Sequence, residues 1–166
     1  MKSPLFSASV ATTPVPSSTL PTSSSCADNS CSLRTQWGSE ETLDHLTGDI
    51  FVVWWDRKYN HQEDARGLID KLVTVRRDCL DNLGMADPPN PAQGYFFNVY
   101  LHHGKDDLFP EGWAMGVGMD KWGLRYLTVG HGSEESLTIY HEGFHIFQIS
   151  RTSPGFAYSG DSMWYF

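Results

Sequence analysis

Five residues, His141-Glu142-Gly143-Phe144-His145, constrain this 166-residue chain more than any other stretch. On an α-helix, residues four apart lie about 40° from each other around the axis and about 6 Å along it. Two imidazoles at that spacing reach one zinc ion from the same face. The residue after the first His sits about 100° around the helix, beside the metal rather than on it. A carboxylate there is placed to hold and deprotonate a zinc-bound water. The spacing therefore assigns His141 and His145 as metal ligands and Glu142 as general base.

Chance alone would put this pattern in roughly one shuffled chain in a hundred. Its surroundings raise its weight. Ser133-Glu134-Glu135 reads as a helix start, with Ser133 as N-cap and two acids in the first turn. Leu137, Tyr140, Phe144, Ile146, Phe147 and Gln148 follow at helical spacing. A helix apolar on nearly every side except at two His and one Glu is expected to be buried. Buried polar groups need partners, and one metal ion satisfies all three.

The stretch Tyr140-His-Glu-Gly-Phe-His-Ile-Phe-Gln148 resembles the active-site helix of zincin metallopeptidases, most closely the gluzincin branch. The resemblance is specific over about ten residues and architectural over residues 49–151. It implies an α+β fold: a twisted, mostly antiparallel sheet with one backing helix and the His-bearing helix beneath it. It also implies Zn2+ as cofactor and a protein or peptide as substrate. A catalytic zinc takes three protein ligands and a water, and gluzincins take the third from a Glu on a later helix. No Glu follows His145 here. Two readings stay open. Either Asp161, within Ser159-Gly-Asp-Ser162, is the third ligand, or the chain is the N-terminal part of a longer catalytic domain. The apolar end Met163-Trp-Tyr-Phe166 favours the second. Tyr158 and Tyr165 are candidates for stabilising an oxyanion.

The rest of the chain supplies the expected frame. Asp49 to Trp55 reads as a buried strand. Asn60 and Glu63 form a candidate capping box. The helix it opens carries Ala65, Leu68, Ile69, Leu72, Val73, Cys79, Leu80 and Leu83 at helical period and stops at Gly84. Asp87 to Gly94, rich in Pro, reads as a loop, and Tyr95 to Leu101 as a second strand. Gly112 to Gly118 and Trp122 to Val129 are two more. In the zincin plan an edge strand binds extended substrate by strand addition; Trp113, Ala114 and Met115 are the candidates. Their alternative is a plain hairpin strand whose glycines serve twist.

Residues 1–34, mostly Ser, Thr, Pro and Ala, are expected to form a disordered tail, an O-glycosylated stalk being the alternative, with the domain over 35–166. Lys2 is followed by no unbroken apolar run, so no secretory signal is read, and location stays open, an extracellular one included. Cys26 and Cys31 are close enough for a small disulfide loop, leaving Cys79 as a buried thiol. A net charge of −8 argues against nucleic acid, and no apolar run is long enough to span a membrane. His102-His103-Gly104-Lys105-Asp106-Asp107 reads as a solvated loop, a second metal or calcium site being the alternative, because adjacent His on a strand point to opposite faces and would not share an ion easily. His131 reads as a loop residue, an approach to the active-site cleft being its alternative. Two further readings stay open: a zincin-like scaffold that binds protein or glycan without catalysis, and a metal-free aromatic-cored domain in which the pattern is accidental.

Overall fold

In the computed structural model the described residues are 26, 30–104, 108–109, 115–133 and 137–148. They form an α+β fold built on a five-stranded mixed sheet. Leu43–Gly48 (β1) and Phe51–Asp56 (β2) make an antiparallel hairpin. Gln62–Arg77 (α1) follows and runs into a π-helical turn over Asp78–Asn82. After the short Pro89–Ala92 (α2) come Phe97–His102 (β3), Met115–Met119 (β4), Arg125–Gly130 (β5) and Thr138–Gln148 (α3). The strand order is β1-β2-β3-β5-β4.

The sheet corrects the expected "mostly antiparallel" pairing. β2–β3 and β3–β5 are parallel, while β1–β2 and β4–β5 are antiparallel. A parallel neighbour needs a crossover, and α1 supplies the one between β2 and β3. The central strands are buried on both faces, so they read as continuous apolar runs such as Phe51-Val-Val-Trp-Trp55 rather than as alternation.

The helices cover one face. A Cβ built on Gly48 would stand 2.7 Å from Ile69 Cγ2 of α1. Gly48 therefore lies under the helix, and so does its register partner Phe51. Phe51 in turn meets Phe97 of β3 edge-on. Side chains alternate along a strand, so Val99 and Leu101 face the helices too. The opposite face carries Trp54, Asn98, Tyr100 and Tyr126. There the Trp54 indole N–H donates to Asn98 Oδ1 at 2.9 Å, both groups being buried. Trp37 closes this face, with ring centroids 4.7 Å from Tyr100 and 4.9 Å from Tyr126.

Several local expectations change. β1 was not anticipated; its Leu43 is buried, but the rest of Leu43–Gly48 alternates between half-buried and exposed residues, so no apolar run marks it. The N-cap of α1 is His61, which makes no side-chain cap bond, so the Asn60–Glu63 capping box does not form. Val75, not Val73, completes the buried stripe of α1, and Leu83 is exposed. Gly84 has φ +60, the left-handed stop expected of it. Within the expected loop, Pro89–Ala92 winds one turn, and Asn90 is fully buried.

Cys26 and Cys31 are disulfide-bonded and Cys79 is a buried free thiol. Residues placed in the tail by composition are tied to the fold: Ser32 pairs with Tyr95, and Cys26 is buried in the core. Residues 1–25 lie outside the described residues. Among the described residues, no helix is long and apolar enough to cross a membrane.

Candidate metal centre

α3 packs against α1 and against β4 and β5. Its contact with α1 is close because residue 143 has no side chain. A Cβ there would stand 3.1 Å from Leu72 Cδ2 and 3.4 Å from Val75 Cγ2. Ile139, Gly143, Ile146 and Phe147 form the buried face. Thr138 and Tyr140 are exposed, so α3 is amphipathic rather than buried all round as expected. Ser133, the expected N-cap, instead donates its backbone N–H to Gly130 in the turn after β5. Residues 134–136 lie outside the described residues.

The motif winds helically, and its two imidazoles converge. His141 Nε2 and His145 Nε2 are 3.0 Å apart, with the rings nearly perpendicular and their centroids 4.5 Å apart. Two nitrogens bound at about 2.1 Å to one tetrahedral zinc stand about 3.4 Å apart, so the pair is within half an ångström of that spacing. Glu142 is buried, and one of its carboxylate oxygens lies within 4.8 Å of the ligand nitrogen of each His. The donor set fits a borderline divalent ion.

One residue of the site carried no assigned role in the sequence reading. His145 Nδ1 lies 2.6 Å from Gln148 Oε1. An amide oxygen only accepts, so Nδ1 bears the proton and Nε2 keeps its lone pair toward His141. The spacing of three residues on one helix is the signal that pointed to it.

Among the described residues, the metal group on α3 consists of His141, Glu142 and His145. Asp161, Tyr158 and Tyr165 lie outside the described residues, as do Trp113 and Ala114. Met115 opens β4, which among the described strands is the sheet edge beside α3. The small size of Gly118 in that strand has a local cause: a Cβ there would collide with the ring of Tyr126, its register partner on β5.

His103 and His131, expected as loop residues, come together with His61 in a second group. His102 points elsewhere, accepting from the backbone N–H of Gly104. No protein-family model matches the chain, and no curated protein or solved structure matches it.

Proposed function

We propose that this chain carries the metal-binding helix of a zincin-type zinc peptidase, with His141 and His145 as ligands and Glu142 as general base. The observation that carries the reading is the convergence of the two Nε2 atoms, 3.0 Å apart, beside a buried carboxylate. The mixed sheet is compatible with it: its antiparallel edge strand, β4, lies next to α3. In this reading an extended peptide adds to β4 as a further strand, its backbone pairing with the edge that has no neighbour among the described strands.

Zinc, when bound, supplies Lewis acidity that lowers the pKa of a water toward neutrality. Glu142, beside the position that His141 and His145 would hold the ion in, would serve as the base that accepts a proton from water and returns it to a leaving nitrogen. Burial of Glu142 keeps bulk solvent from competing for the proton. Gln148 holds His145 in the ligating tautomer. A third protein ligand completes the reading, and Asp161 is the candidate for it in this chain.

The test is Glu142→Gln in the full chain. Zinc content is expected to be unchanged, while hydrolysis of a protein substrate falls at least about a hundredfold. Undiminished hydrolysis by this variant overturns the mechanism. A protein that holds zinc through His141 and His145 yet cleaves nothing would favour the non-catalytic scaffold.

A further inference from the structure

The second histidine group lies where the sheet and α1 meet at one end. β2, β3 and β5 run parallel, so their C-terminal ends share that edge with the N-terminus of α1. Leu101 pairs with Val129 across β3 and β5, both facing the helices. One residue past the end of each strand, two after Leu101 and Val129, stand His103 and His131. The backbone N–H of His131 donates to the carbonyl of His102 at 2.7 Å, which carries the parallel register past the strand ends. His61, the N-cap of α1, meets them from the helix layer.

The three rings lie close together, with centroids 4.5 to 4.9 Å apart: His103 stacks on both His61 and His131, while the His61 and His131 rings are tilted by 38° to each other. His61 Nε2 and His103 Nε2 are 2.6 Å apart. One ligand nitrogen from each of the three falls within 4.8 Å of the others. Asp64 Oδ2 lies 2.7 Å from His61 Nδ1 and 3.9 Å from His131 Nε2. A carboxylate accepting from Nδ1–H leaves the lone pair of His61 on Nε2, facing His103. Carboxylates hold metal-ligating imidazoles in this way.

We propose that His61, His103 and His131 form a second metal site, independent of the one on α3, that takes Zn2+ through three neutral imidazoles with Asp64 orienting the first. A tetrahedral ion sets ligand nitrogens about 3.4 Å apart, so the His61–His103 pair opens by less than an ångström on loading. Two of the ligands, His103 and His131, are exposed at the ends of strands, which gives the ion a direct path from solvent. His61 is buried. The ion cross-links the start of α1 to β3 and β5, joining the helix layer to the sheet at positions far apart in sequence. Such a site stabilises the folded state by binding it and not the unfolded chain.

The full chain is titrated with Zn2+ alone, following heat and metal content after dialysis. Two equivalents are expected for the wild-type protein. The double variant His103→Ala, His131→Ala is expected to lose one equivalent and keep the other, and both residues are exposed enough to be replaced without disturbing the core. Asp64→Asn is expected to weaken that step 10- to 100-fold and leave the other unchanged. If the α3 site binds nothing, the wild type takes one equivalent and the double variant none, so the two failures are distinguishable. An unchanged stoichiometry in the double variant overturns the proposal. Imidazole NMR signals of the wild type give a second, mutation-free reading: His61, His103 and His131 must all shift on zinc addition, and a set that stays put overturns it as well.

Discussion

His145 donates its Nδ1–H to Gln148 one turn further along the same helix, across 2.6 Å. Without that acceptor the neutral imidazole is free to carry its proton on either nitrogen and to rotate about χ2, and each alternative removes the lone pair from the position beside His141. Gln148→Leu keeps the size of the side chain and deletes the acceptor. Zinc affinity of the α3 site is expected to fall 10- to 100-fold, the usual range for losing such a partner. Thermal stability without metal should change little, because Gln148 is only half-buried. Competition against a chelator of known affinity measures the change, and an unaltered zinc affinity would show that the hydrogen bond has no part in holding the metal.

The convergence of His141, Glu142 and His145 on α3 was legible because it is a local property of the helix. Residues four and three apart on a helix share a face whatever the rest of the chain does, so His141, His145 and Glu142 could be placed from spacing alone. The second histidine group was not legible, for the converse reason. The period-2 rule correctly sends His102 and His103 to opposite faces, but it says nothing about which strand lies next door. Only the parallel pairing of β3 with β5 puts His103 beside His131, and a sheet expected to be mostly antiparallel would not have done so. Strand pairing is a property of the whole fold, not of a window of residues. The same limit hid β1: an edge strand with Asp44, His45 and Thr47 carries no apolar run, and its partner β2 reads as a buried strand with or without it. Elements that announce themselves, such as the stripe of α1 or the run that forms β2, were found within a few residues.

Arg76 joins the end of α1 to two separate loops. Its Nε and Nη2 donate to the two oxygens of Asp87 at 2.7 and 2.8 Å, a bidentate pair, while Nη1 reaches both oxygens of Asp49 at 3.0 and 3.2 Å. Asp49 lies in the turn between β1 and β2 with φ +52, a left-handed conformation that costs a non-glycine residue energy. The Asp87 pair, ahead of the opposing effect of burial, and the nearby Asp49 raise the guanidinium pKa above its ordinary value. Arg76→Ala leaves two carboxylates close together without their shared cation, and should destabilise the fold by about 2–4 kcal/mol. Arg76→Lys restores charge but not the fork, so it should recover less than half of that loss. Urea unfolding of the three proteins decides the point. A lysine variant as stable as wild type would reduce the network to simple charge attraction.

Cys79 turns inward from the π-helical turn after α1 and is almost fully buried. Burial, with a smaller contribution from the neighbouring charge of Asp78, pushes its thiol pKa up from 9.0 to about 11. The direction of the consequence follows from proton counting. Between those two values the folded protein keeps the thiol proton and the unfolded chain has released it, so rising pH favours unfolding. The stabilisation is fully present below pH 9 and is lost as pH climbs toward about 11, on the order of 2 kcal/mol in all. Cys79→Ala removes the titrating group. It should lower stability at neutral pH through the small cavity it leaves, and it should flatten the fall in stability across the alkaline window. Chemical unfolding at pH 8, 9, 10 and 11 on both proteins, under reducing conditions matched between them, measures the two slopes. Parallel curves for wild type and variant would mean that the thiol does not titrate in the folded state as its burial requires.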